Sequence, residues 1–348
     1  MKAKLAPRLR MALMLVCATA LFSATFASIP AVQDKPQSKD SAPKISEGEQ
    51  QAIGKINAAS GVAEKLKASA EYLKKYGKSP NRPRLAGFIA DEIWKVADSA
   101  QRIALIENFT KTFNQPDEAD LIKPALIDAY LNANKLDEAI NEAGKFLEKN
   151  PEHVVVLTQM AWAGANQAQR QVQAGQAMPA QALLQRTSQA GEKAVEIMEA
   201  DRKPGGMDAT YWNNYRNSWL PRLYQAQGVI LYFSNDRVAA KDKLEKSAGL
   251  DPYDAPTLLM ITSIVTDEYN QVAQKYQAEK KQPLLDQAML KMDELIDYLA
   301  RTAAATEGNA QYQAISGQIM ETLKSYYSFR REGKTDGLKE LVQKYKRP

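Results

Sequence analysis

The chain has 348 residues, with 46 Lys and Arg, 41 Asp and Glu, one His and one Cys, and a formal net charge of +5. One Cys excludes an internal disulfide, a four-thiolate zinc site and an iron–sulfur cluster, and one His excludes any site built on two imidazoles. With 45% apolar and 25% charged residues, the composition is that of a folded protein long enough for one large or two ordinary domains.

Residues 1–27 have the order of a secretory signal peptide. Lys2, Lys4, Arg8 and Arg10 form a cationic front without an acidic residue, Met11–Phe22 is apolar, and Thr25 and Ala27 suit cleavage after Ala27. An uncleaved anchor would need about 20 apolar residues, more than Met11–Ala27 supplies. A lipoprotein would need a small residue before its acylated Cys, and Cys17 follows Val16. A mitochondrial presequence fits a compact apolar block poorly. Cleavage removes Cys17, and an exported chain without cysteine points to a bacterial periplasm. The expected mature chain has no membrane span. Removing the four leader cations takes the net charge from +5 to +1, so the apparent basicity implies neither nucleic acid nor an anionic membrane. Asn108-Phe109-Thr110 is a glycosylation sequon only in a eukaryotic secretory pathway.

Residues 28–47 are rich in Pro, Ser, Lys and Asp without an apolar period and are expected to form a flexible linker. Ser41-Ala42-Pro43-Lys44 has the Ser-x-x-Lys spacing of penicillin-recognising enzymes, but that chemistry needs a helical turn, which a Pro-containing linker does not supply.

Residues 48–348 are Ala-, Leu-, Glu-, Lys- and Gln-rich, and Gly and Pro punctuate apolar-periodic segments. No sustained period-two alternation occurs. The expected fold class is all-α, with antiparallel helix hairpins at 48–59 and 61–76, 84–98 and 100–114, 118–133 and 136–149. Further pairs are expected at 154–174 and 180–201, 221–234 and 236–249, 255–279 and 282–304, and 308–330 and 334–346.

Two segments repeat a pattern. In residues 125–151, Leu126, Ala129 and Tyr130 precede a turn at Asn134-Lys135, Ala139, Ala143 and Phe146 follow, and Pro151 closes the unit. In residues 223–252, Gly228 and Leu231 precede a turn at Asn235-Asp236, Ala240, Leu244 and Ser247 follow, and Pro252 closes. These segments resemble the tetratricopeptide repeat (TPR), a 34-residue helix–turn–helix unit whose small residues let two helices pack closely. Ala139 and Ala240, Pro151 and Pro252, and the stretch from Asn134 to Ala139 carry the resemblance. Taking Ala68, Ala104, Ala139, Ala190, Ala240 and Ala288 as equivalent, the spacings are 36, 35, 51, 50 and 48 residues. Standard hairpins are therefore expected to about residue 152 and taller ones beyond it.

The resemblance implies hairpins stacked into a right-handed superhelical solenoid whose first helices line a concave surface for peptides or partner proteins. It places Asp128, Leu131, Asn132, Trp162, Asn166, Gln225, Val229 and Tyr232 on or near that surface. The chaperone-binding members of the family hold a C-terminal carboxylate with a Lys/Asn/Arg clamp, and Pro124 and Asp128 stand here where that clamp would want cationic or amide groups. A second candidate surface is the aromatic segment with Tyr211, Trp212, Tyr215 and Trp219, ahead of a helix start at Pro221. The spacing of 211, 215 and 219 places those three aromatics on one helical face, where packing between hairpins is the competing role. Tyr326, Tyr327 and Phe329 are expected to pack the last pair.

Catalytic signals are weak. His153 follows Pro151-Glu152 at a helix start, where a surface or capping role is expected. Asp137/Glu138 and Asp267/Glu268 suit solvated helix faces. No GxGxxG, P-loop, GxSxG or EF-hand pattern occurs, and Lys203-Pro204-Gly205-Gly206 is expected to be a turn. The expected function is a non-catalytic exported scaffold for a protein or peptide in the cell envelope, without cofactor, metal or nucleic acid. The alternatives are an envelope enzyme or subunit acting on cell-wall glycan, and a solute-binding module using the aromatic–Asn segment.

Overall fold

The computed structural model describes residues 45–175 and 181–347. The expected signal peptide, its cleavage site and nearly all of the linker lie outside the described residues. Among those residues the chain is all-helical, with no strand, and no helix is long and apolar enough to cross a membrane.

The helices are α1 (Glu47–Ala58), α2 (Val62–Tyr76), α3 (Arg82–Trp94), α4 (Ser99–Thr112), α5 (Pro116–Asn132), α6 (Leu136–Lys149) and α7 (Val154–Gln173). They continue as α8 (Gln181–Glu199), α9 (Ala209–Phe233), α10 (Arg237–Leu250), α11 (Ala255–Glu279), α12 (Gln282–Thr306), α13 (Gln313–Arg330) and α14 (Leu338–Lys344). Their starts follow side-chain chemistry. Ser46, Asp98, Asp236 and Asp254 each accept from a backbone N–H three residues on. Gln115 and Glu118 form a capping box ahead of Pro116.

The described residues pack as two compact units, 45–167 with 185–219, and 168–184 with 220–347 less the residues outside the description. In the first unit successive helices pack in order from α1 to α6. The first helices α3 and α5 also touch, as do the second helices α2 and α4. In the second unit α10 packs on α11, α11 on α12, α12 on α13, and α14 returns to α12.

Two expectations are corrected here. Pro221 does not start a helix but lies inside α9, which begins at Ala209. The missing N–H of Pro221 leaves the carbonyl of residue 217 without its helical donor, and Asn217 is exposed, so water can serve it. The small-residue equivalence holds for Ala139, Ala190, Ala240 and Ala288, all buried, but Ala104 is exposed and Ala68 half-buried. In α2 the buried small residue is Ser69. Helices up to α6 have 12–17 residues, and α7 to α12 have 19–25 apart from α10 with 14.

The hairpins α5–α6 and α9–α10 share their turn. Lys135 N–H donates to Tyr130 O and Asp236 N–H to Leu231 O, at 2.8 and 3.0 Å. Farther on, Asn150 N–H bonds Phe146 O and Asp251 N–H bonds Ser247 O. A constant offset of 101 positions relates all these residues.

Candidate functional site

Three of the first helices, α7, α9 and α11, are enclosed over part of their length. Residues 154–166 of α7, 223–230 of α9 and 257–266 of α11 are buried on every face. This corrects the expected concave lining, because most of the side chains assigned to it are interior. Asp128 is 1% exposed and pairs with the buried Arg102 of α4 at 2.6 Å. The Asn132 amide donates to the same carboxylate oxygen at 2.9 Å. Burial pushes the Asp128 carboxyl up, against the pull of Arg102. Leu131 and Val229 are buried apolar residues. Trp162 is buried edge-on to Trp219, with ring centroids 6.2 Å apart, and the Asn166 amide donates to Trp162 O. Gln225 is buried and donates to Asp254 and Thr257 at 2.6 and 2.9 Å. Of the eight, Asn132 is exposed and Tyr232 half-buried, with the Arg237 guanidinium 3.6 Å above the Tyr232 ring centroid.

The aromatic segment turns inward too. Trp212, Tyr215 and Trp219 are buried, and Tyr211 is half-buried. Tyr211, Tyr215 and Trp219 lie along one face at successive centroid distances of 6.4 and 6.1 Å. Trp212 Nε1–H donates to Asp201 at 2.7 Å, and Arg216 pairs with Asp201 at 2.8 Å. Burial pushes the Tyr211 hydroxyl up to about 12. The competing packing role is the one these contacts describe.

Among the described residues of the first unit, a cleft of about 400 Å³ opens between the loop before α7 and the loop after α8. Its apolar surface comes from Pro151, Val154, Val155, Ile197 and Pro204, and its charged groups are Glu152, Arg202 and Lys203. His153 also lines it and caps α7, with Val156 N–H donating to its Nδ1 at 3.4 Å, and its ring meets Phe146 edge-on. The expected capping role of His153 is what the contacts describe.

The loop wall is braced from within. The Lys203 ammonium donates to the carbonyl of Met207 at 2.6 Å, Met207 is buried, and Asp201 is held by Trp212 and Arg216. At the rim, Glu152 and Glu196 share Lys193 and Arg202 in a network spanning 2.6–3.2 Å. Lys193 first, then Arg202, holds the Glu152 carboxyl below its ordinary value. An ionised, ion-paired carboxylate is suited to contact and poorly suited to donate a proton at neutral pH. Among the described residues no three His, Cys, Asp or Glu side chains converge as metal ligands.

Residues 152, 193, 196 and 202 were not legible as a group, because only the 193/196 spacing is local. The enclosure of the first helices did leave a signal: Val154–Gln169, Leu223–Phe233 and Ala255–Thr266 contain no charged residue, as expected of helices surrounded by protein. No family model matches the sequence, and comparison with curated proteins gives no significant match.

Proposed function

We propose that this chain is an exported, non-catalytic helical-repeat protein of the tetratricopeptide kind, which binds a protein or peptide partner in the bacterial cell envelope. The observation that carries the reading is the constant offset between the hairpins α5–α6 and α9–α10: the same turn, the same buried small residue at Ala139 and Ala240, and the same closing Pro. Hairpins that repeat in this way are built to stack and offer extended surface. The export reading rests on residues 1–27. The partner is proposed to engage the cleft at Glu152 and Arg202, whose braced loops hold an apolar floor and a rim of both charges without reorganisation on binding.

The glycan-enzyme alternative is less supported, because Glu152 is the one carboxylate lining the cleft, and that chemistry takes a pair. The solute-binding alternative is less supported because Trp212 and Trp219 have no exposed ring face. A photo-reactive side chain placed at Glu152 or Gly205, and at Lys74 as a control remote in sequence, tests the proposal in cells. The same specific partner is expected from both cleft positions and not from the control. Capture of no specific partner, together with glycan turnover by the pure protein, would overturn it.

A further inference from the structure

The 101-residue offset runs beyond the two hairpins. Helices α6, α10 and α14 begin at Leu136, Arg237 and Leu338, α7 and α11 at Val154 and Ala255, and α8 and α12 at Gln181 and Gln282. The loop before α7 therefore matches the loop before α11, Pro151 with Pro252 and Glu152 with Tyr253. On the facing helices Glu196 matches Asp297, and Ile197 matches Tyr298. Both walls of the first unit's cleft thus have counterparts in the second unit.

In the second unit the chain's own residues 345–347 lie against those counterparts. The Tyr345 hydroxyl donates to Oδ1 of Asp297, while Arg301 donates to Oδ2 at 2.8 Å and stands 5.0 Å from the Tyr345 ring centroid. The Arg347 guanidinium stands 5.2 Å from the Tyr253 ring centroid, and Lys346 pairs with Glu307 at 2.8 Å. An aromatic residue meets the carboxylate on the helix, and a cation two positions later meets the loop.

We propose that the cleft at Glu152 takes a partner segment of the same kind, an aromatic residue followed two positions later by an arginine. This ligand class rests on the reading of that cleft as a partner site. Aromatic faces and carboxylates both hold a guanidinium, so Glu152 serves the arginine as Tyr253 serves Arg347. Lys193 and Arg202 both reach Oε1 of Glu152, which leaves Oε2 to accept from the incoming residue. Such pairing does not close a site, because Asp297 takes Arg301 on one oxygen and Tyr345 on the other. The cations of the cleft are held against the chain, Arg202 by Glu152 and Glu196, and Lys203 by the Met207 carbonyl. Pro151, Val154, Ile197 and Pro204 supply the apolar wall for the aromatic ring. Past Glu199 the units differ, because α12 continues to Thr306. The contact to Glu307 has no counterpart there, so the middle residue of the segment is left unspecified.

A fluorescent peptide of residues 341–347 is the probe, and the full chain, whose own segment occupies the second unit, is the receptor. Fluorescence anisotropy should show saturable binding below about 1 mM. Glu152→Gln should raise the probe's Kd about threefold to fivefold. Tyr345→Ala in the probe should raise it about tenfold or more. Glu152 is exposed, so thermal unfolding of E152Q should match the parent. With a photo-reactive residue in place of Tyr345, the probe should crosslink to residues 150–155 or 196–205. Absence of saturable binding overturns the proposal, as does binding that E152Q leaves unchanged. Tighter binding of a probe carrying Arg347→Glu, or crosslinks confined to residues 253 and 297–307, also overturns it. Partner capture from Glu152 in cells without probe binding would sink the ligand class alone. Probe binding without partner capture would leave the ligand class standing while the cell-envelope reading fails.

Discussion

Asn134 and Asn235, 101 positions apart, close their hairpins in the same left-handed backbone conformation, each with φ of 65°. The residue after each donates to the carbonyl five positions earlier, and each asparagine donates to the carbonyl three positions earlier. Asparagine tolerates this region better than residues with apolar β-carbons. Asn134→Ala and Asn235→Ala should therefore each cost about 1 kcal/mol, and the glycine variants at the same sites close to nothing. Urea unfolding checks the pair, and a cost at one turn without a matching cost at the other would break the equivalence of the two hairpins.

Helix contacts at glycine predict opposite signs at different positions. A Cβ on Gly164 would stand 2.3 Å from Thr187, and one on Gly228 would stand 2.5 Å from Leu244. Gly164→Ala and Gly228→Ala should each destabilise the fold by about 1–3 kcal/mol. Gly54 in α1 has nothing within 4 Å of its built Cβ, so Gly54→Ala should stabilise by about 0.5–1 kcal/mol. Pairing Gly164→Ala with Thr187→Ala should recover part of the loss, as denaturant midpoints of the four species would report.

Those contacts also show what the sequence could and could not convey. Residues 136–149 and 255–279 are helices at the bounds their apolar period and punctuation imply. The start of α9 was hidden because Pro221 reads as a helix opener, although its interior position leaves only one carbonyl to solvent. The site was harder. Helical period distinguishes an apolar stripe from a polar one, but Trp162 and Asn166 belong to a helix enclosed on all sides, where no stripe exists. The absence of charge along 154–169 was the usable sign. The rim at Glu152 and Arg202 joins residues 50 positions apart, and periodicity within one helix carries no information about such pairs.

The buried pair Arg102–Asp128 gives a third prediction. Both side chains are at most 5% exposed and 2.6 Å apart. Removing one partner leaves the other charged without compensation, so Asp128→Ala should cost about 3–5 kcal/mol. Replacing both, as Arg102→Met with Asp128→Leu, should restore most of that stability, because each side chain's desolvation is then avoided. A double-mutant cycle in urea measures the coupling, and additive single losses would mean that the pair does not act as a unit.

Glu49 and Tyr72 tie α1 to α2 and give the fold a pH window. The Tyr72 hydroxyl donates to the Glu49 carboxylate at 2.6 Å, and Ser79 donates to the same oxygen. The Ser79 bond first, and then Tyr72, hold the Glu49 carboxyl below its ordinary value of 4.5. The unfolded chain therefore takes up this proton at higher pH than the folded one. The stabilisation is complete above the unfolded value and is lost as pH falls through the lower folded value. Tyr72 titrates in the other direction. Burial and then Glu49 push its hydroxyl from 10 to about 12, so the folded chain holds a proton that the unfolded chain releases. Its contribution is complete below pH 10 and drains as pH rises toward about 12. Glu49→Gln should make the acid limb of the stability profile shallower, leaving the part carried by other paired carboxylates such as Glu92 and Glu142, and should leave a large part of the alkaline limb. Tyr72→Phe should reduce the alkaline limb, leaving the part carried by other buried tyrosines such as Tyr211 and Tyr326, and weaken the acid one, since Ser79 still holds the carboxylate. Thermal melts of the three proteins from pH 3 to 11.5 test this, and parallel profiles for all three would show that the bond does not contribute to the window.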